Sequence, residues 1–281
     1  MYKIVKTNSL DISKINTTFA AGGRFGNIFI RNFVAEYIAK KNNLKMKYER
    51  YYQFEKLGIK LFIGENIYDE TLLITDENIN SIIFNDNIFN TYAKNRNIIF
   101  RQHDYNPFSI RNYAWCQTSS IASYIRKVVN LENRIMNNNP FKDRYNKNND
   151  IFIHVRLGDI IGLKFNVSIN YYDSIIQKIL DSKNYKNNHY FNNGVRYITS
   201  DSIDNIICQT LIKKYDLKIY NADEIDTIQF GSTCKNIVLS NGTYSWLLGL
   251  LSFGSNVHYP TIKKKWHGNI FIFPDWHKVN Y

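Results

Sequence analysis

The nine residues Ile151-Phe-Ile-His-Val-Arg-Leu-Gly-Asp159 constrain the fold more than any other part of this chain. Ile151, Phe152, Ile153 and Val155 read as a short buried strand, and Gly158 supplies the turn that leaves it. The signal returns downstream, with further strands expected at residues 196–199, 236–239 and 256–259. Helical patterns fall between them at 171–180, 202–213 and 243–253, the last apolar nearly all round and therefore buried. Such alternation implies a parallel sheet with right-handed crossovers. Ligands of such sheets bind at the carboxyl ends of the strands, which is where His154, Arg156 and Asp159 stand. An Arg there grips a phosphate through two parallel N–H bonds, which a Lys cannot do.

The first half is less regular. A strand is expected near 16–20, then the turn Ala21-Gly-Gly-Arg-Phe-Gly-Asn27. Ile30, Phe33, Val34, Tyr37 and Ile38 then keep helical spacing. Short strands are expected at 60–63, 81–84 and 98–101, and a long helix at 118–130. The stretch Asn137 to Asp150 is polar, holds Pro140 and has no apolar period, so it reads as a linker. It separates an N-terminal domain, 1–140, from a C-terminal nucleotide-binding domain, 150–281, each of ordinary size.

Lys plus Arg total 36 against 24 Asp plus Glu, a net charge of +12. That excess favours an anionic partner: nucleic acid, an acidic membrane face or a phosphorylated small molecule. The basic residues are scattered, the aromatic residues are spread along the whole chain, and no nucleic-acid-binding module is present. Nucleic acid is therefore not expected as a partner, and membrane contact is at most peripheral. Cys116, Cys208 and Cys234 lie far apart, without Cys-x-x-Cys spacing or a His/Cys cluster suited to zinc. The sparse count fits a reducing compartment, and no signal-peptide core or membrane-length segment is seen, so the expectation is a cytoplasmic protein.

Three strand-to-helix turns of the second half carry polar residues: His154 to Asp159, Ser200-Asp201-Ser202, and Ser240-Asn241-Gly-Thr243-Tyr244-Ser245. Parallel strands bring all three to one sheet edge. The third turn opens a helix, whose N–H groups and hydroxyls suit an anion. Ordinary helix capping by Ser240, Asn241 or Thr243 is the competing explanation. The Gly22-Gly23-Arg24-Phe25-Gly26-Asn27 turn is neither a Walker loop nor Gly-x-Gly-x-x-Gly; it permits close approach of backbone to a phosphate. No Asp-x-Asp is present to hold a divalent metal on a nucleotide, so neither a metal nor a cofactor is expected.

These motifs carry a resemblance. His154-x-Arg156-x-Gly158-Asp159 resembles the His-x-Arg-Arg-Gly-Asp of α-1,2-fucosyltransferases, glycosyltransferase family 11. The Gly22 to Asn27 turn resembles that family's opening Gly-Gly-x-Gly-Asn, and is closer still to the Gly-Arg-Phe-Gly-Asn of protein O-fucosyltransferases. Tyr171-Tyr172, Thr199-Ser-Asp201 and Leu239-Ser-Asn-Gly-Thr-Tyr-Ser-Trp246 are similar to later family motifs, in the same order. The resemblance implies a GT-B fold, an α/β architecture of two Rossmann-like domains facing a central cleft. It implies inverting, metal-independent transfer of L-fucose from GDP-fucose to a glycan hydroxyl, as by a galactoside 2-α-L-fucosyltransferase. By motif position, Arg156 holds the pyrophosphate, and His154 and Asp201 lie near the nucleoside. The Ser240, Asn241, Thr243, Tyr244 and Ser245 turn meets the phosphates, while Arg24, Gly26 and Asn27 reach the donor from the first domain. Candidates for the base that takes the acceptor proton are Asp159 and His154, with His103 and Asp104 as first-domain alternatives. Leu157 stands where the family has a second Arg, Ser202 where it has a second Asp, and Leu247 where it has a second Trp. Loss of that Arg removes a charge from the leaving group and opens the way to another GDP-sugar or another nucleotide sugar. The other classes weighed are a basic nucleic-acid-binding protein and a catalytically silent carbohydrate-binding relative.

Overall fold

Phe25, Phe29 and Phe33 stand four residues apart, so a helix sets them on one face. They lie on α1 (Phe25–Asn42), and Phe54 of α2 (Tyr51–Lys56) packs into the row, its ring stacked on that of Phe29 at 5.3 Å between centroids. α1 ends where Asn43 turns left-handed, at φ 49°. The computed structural model describes residues 2–18, 24–100, 114–129, 132–182, 194–261 and 268–280. The chain divides into two units: unit 1 is Met1–Val128 with His267–Ile270, and unit 2 is Val129–Trp266 with Phe271–Tyr281.

Unit 1 holds β1 (Ile4–Lys6), β2 (Glu70–Ile74) and β3 (Asn97–Phe100), in that order across the sheet. β2 and β3 are parallel; β1 is antiparallel to β2. The helix expected over 118–130 is α5 (Ser119–Val129), after α3 (Ile79–Phe84) and α4 (Asp86–Ile88). Other expectations fail here. Residues 60–63 are irregular, and 81–84 belong to α3. A four-residue apolar run fits either period, and Asn78 decides by closing the preceding turn onto Thr75 N–H at 3.0 Å and the Leu73 carbonyl at 2.8 Å. Over its described part, the strand expected near 16–20 is reduced to one bridge, Thr17 with Lys47.

In unit 2 the sheet order is β6 (Lys218–Ile219), β5 (Arg196–Ser200), β4 (Ile151–Val155), β7 (Asn236–Val238), β8 (Asn256–Pro260), β9 (His277–Val279). Every pairing is parallel. Counted along this unit, the order is the 3-2-1-4-5-6 of a doubly wound, Rossmann-like sheet. The chain is thus a mixed α/β protein with parallel strands in both units.

A central parallel strand is covered on both faces, and all five residues of β4 are buried. Ile151, Ile153 and Val155 join Tyr171, Ile175 and Ile179 of α7 (Ile169–Asp181) and Cys208 and Leu211 of α8 (Ile206–Tyr215). The alternate residues face the other layer, α9 (Glu224–Gly231) and α10 (Thr243–Leu250), where Phe152 meets Phe230 edge-on. α8 begins at Ile206 rather than 202, because Asn205 caps it through the Ile207 N–H. β6, α9 and β9 had no clear sequence signal.

The stretch from Asn137 to Asp150 is not a linker. It runs from the end of α6 (Glu132–Asn138) through a 3₁₀ turn and is bonded into unit 2. Asn139 donates to the Gln229 carbonyl at 2.8 Å, Asn148 to the Thr233 carbonyl at 2.9 Å, and Arg144 to Asp150 at 2.7 Å. Its polarity serves buried partners, a use that composition does not distinguish from solvation.

Gly231 is where α9 comes closest to the sheet: a Cβ there would lie 2.8 Å from the Phe152 ring and 3.0 Å from Leu248. Gly231→Ala is expected to cost about 1–3 kcal/mol in urea unfolding. Gly162→Ala, whose Cβ would meet nothing within 4 Å, is expected to stay within about 0.5 kcal/mol of wild type. Equal effects would show that α9 does not pack at the limit described.

Candidate functional site

From β4 the chain moves outward to β5 and β6; from β7 it moves the other way, to β8 and β9. The carboxyl ends of β4 and β7 therefore border a crevice at the point where the winding reverses. Arg156 follows β4, and Ser240 to Ser245 follow β7.

Most polar groups at this edge hold the turns themselves. Tyr171 donates to the Leu239 carbonyl and Tyr172 to Ser240 Oγ, each at 2.9 Å. The Ser240 N–H donates to Ser245 Oγ at 2.8 Å, and that oxygen lies 2.5 Å from Nδ1 of buried His154. The Tyr244 ring stands 5.2 Å from the His154 ring, and its hydroxyl donates to the Glu224 carbonyl at 2.7 Å. Burial pushes that phenol well above its usual range, so it remains a donor. Asn241 donates to the Phe165 carbonyl at 3.2 Å, which ties the loop after Arg156 to the β7 turn. Asp201 Oδ1 accepts the N–H groups of Leu157 and Gly158 at 2.9 and 3.1 Å. Asp201, Ser240 and Tyr244 thus use these atoms to brace the edge. Leu157 is wholly buried in the core with Val155 and Tyr171. Its side chain leaves the crevice altogether, so its apolar character takes no charge away from there.

Arg156 is different. Its Nη2 donates to the two oxygens of Asp159 at 3.0 and 3.3 Å. Its Nε is sealed from solvent and has no acceptor among the described residues. Its Nη1 lies against Gly242, which has φ +115°; a Cβ there would stand 2.8 Å from that nitrogen. Gly242 is also the N-cap of α10, which has no side-chain cap and no acidic residue in its first turn. A guanidinium and a helix N-terminus, both positive, therefore share one spot. An anion between them satisfies both, and phosphate is the common ligand of such a place. Asp159, 54% exposed, is the carboxylate that meets the fork here. Sequence reading missed Gly242, although Ser-Asn-Gly-Thr before a helix carried the signal.

Arg24, Gly26 and Asn27 belong to unit 1. Arg24 is the N-cap of α1 without a side-chain cap bond, Gly26 is buried, and Asn27 Oδ1 accepts from Gln117 Nε2 at 3.1 Å. Gly22, Gly23, His103 and Asp104 lie outside the described residues. Unit 1 also holds Asp76, just beyond β2, whose carboxylate accepts the Cys116 N–H at 2.7 Å. Burial raises Asp76 to about 6, against the pull of the Cys116 and Trp115 N–H groups and the Arg31 charge. No protein-family model, curated protein or solved structure matches this chain.

Gly242→Ala is expected to push Arg156 off α10 and strain the positive φ. Inorganic pyrophosphate should then bind at least about tenfold more weakly, at a stability cost of about 1–2 kcal/mol. Unchanged pyrophosphate affinity in isothermal titration would separate Gly242 from the anion site. Asp76 makes a second prediction. Its folded pKa is raised, so its stabilising contribution is full below about pH 4 and is lost as pH rises through about 6. Relative to Asp76→Asn, wild type is expected to lose about 2 kcal/mol between pH 4 and 7.5 in urea titrations. A flat difference would contradict the buried carboxylate.

Proposed function

We propose that this chain is an inverting, metal-independent glycosyltransferase that moves a sugar, L-fucose on the motif resemblance, from a GDP-sugar to a glycan hydroxyl. In this reading the two units are the paired Rossmann-like domains of a GT-B enzyme, and unit 2 holds the nucleotide. The observation that supports it most is the Arg156 guanidinium resting on Gly242 at the uncapped start of α10.

The chemistry suits that arrangement. Glycosyl transfer passes through an oxocarbenium-like state while negative charge gathers on the departing pyrophosphate. Arg156 and the first N–H groups of α10 are fixed donors aimed at that charge, and fixed donors need no reorganisation as it develops. The phosphate competes with Asp159 for the same fork. Its arrival releases a carboxylate that can take the proton of the attacking hydroxyl as the new glycosidic bond forms and the bond to pyrophosphate breaks. His154, with Nδ1 engaged by Ser245, holds the β7 turn in register beside the nucleotide. With Leu157 turned into the core, the donor base and sugar are chosen by other residues at this edge.

GDP at a hundred times its Kd is expected to raise the melting temperature by roughly 5–10 °C, with a smaller rise for UDP. Arg156→Lys keeps the charge but loses the fork; transfer is expected to fall about 10²–10³-fold with little change in the melting temperature of the free protein. Transfer within about threefold of wild type, or equal stabilisation by UDP, would reject the assignment. Transfer is also expected to survive EDTA; activity abolished by EDTA and restored by Mn²⁺ would refute the metal-free mechanism.

A further inference from the structure

Unit 1 carries a second polar cluster, where the chain leaves β2 and where the segment after β3 returns beside α1. Arg31 of α1 is 6% exposed. Its Nε donates to the Ala114 carbonyl at 3.2 Å, while its Nη1 is sealed and finds no acceptor among the described residues. Thr75, also 6% exposed, follows β2, and its hydroxyl is likewise sealed without a partner among the described residues. Asp76 comes next in the chain, is only partly buried, and faces the Arg31 charge. Cys116, which donates its N–H to Asp76, holds φ +59°, a conformation few non-glycine residues keep without support.

Native interiors leave few polar groups unbonded, and each exception calls for a partner. Here the exceptions are a cationic donor, Arg31 Nη1, and a group that both gives and accepts, Thr75 Oγ1. Beside them stands a carboxylate that reaches solvent. An anionic ligand would meet the Asp76 charge, and a cationic one would meet Arg31. A neutral polyol meets neither objection: one hydroxyl donates to the carboxylate, and an oxygen accepts from the guanidinium. We propose that Arg31, Thr75 and Asp76 form a binding site for adjacent hydroxyls of a neutral sugar, the acceptor side of the transfer. This inference rests on the glycosyltransferase reading for its purpose, but not for its chemistry.

The test uses the full chain on immobilised neutral oligosaccharides ending in galactose, glucose, mannose or N-acetylglucosamine, with sialylated counterparts alongside. Wild type is expected to bind at least one neutral probe. Asp76→Asn and Thr75→Val, both close in shape to the native residues, are expected to bind it about tenfold or more weakly. The melting shift given by GDP should be unchanged in both. Wild-type affinity in either variant, binding of sialylated probes alone, or no bound probe would overturn the site. Loss of sugar binding in the variants of a protein that GDP does not stabilise would instead sink the glycosyltransferase reading and leave a carbohydrate-binding site standing.

Discussion

The guanidinium of Arg156 lies on the bare backbone of Gly242, and much of unit 2 is arranged so that this contact can exist. Two things bring the pair together. β4 and β7 are neighbours in register, Ile151 beside Asn236 through Ile153 beside Val238, so their exits open at one edge. The residue at 242 also lacks a Cβ and accepts a φ of +115°. Either change alone would move the positive charge away from the start of α10.

The groups behind that contact keep it still. Tyr171, Tyr172, Ser245 and Asp201 each bond a backbone group or hydroxyl of the two turns, so the turns cannot drift. Residues that look like ligand contacts in a motif can act one step back, as braces. What is left unsatisfied is then informative. In unit 2 a sealed nitrogen of Arg156 remains, and in unit 1 Arg31 and Thr75 remain. Buried donors without acceptors are costly, so they mark places where a partner from outside the chain is expected.

Legibility from the sequence followed the strength of local pattern. β4, α7, β5 and α10 were readable because an apolar run or a full helical period leaves little choice. Ser81 to Phe84 was not readable, because four apolar-rich residues fit strand and helix alike and the Asn78 turn decided between them. The stretch from Asn137 to Asp150 misled, because buried polar partners leave the same composition as solvated ones. Arg31 and Asp76 went unnoticed, since 45 positions separate them and no local spacing joins them.

The sequence by itself determined the layer pattern of unit 2 and the polar residues at its edge, because burial on both faces writes apolar periods directly into the chain. It also placed Arg156 at a strand exit. Only the tertiary structure decided what each polar residue does. Whether Asp201 points at a ligand or braces Leu157, and whether Leu157 faces the crevice or the core, depends on atoms more than forty residues away or on a backbone turn of one residue. Such choices are settled by which buried groups find partners, and partners are a property of the folded chain alone.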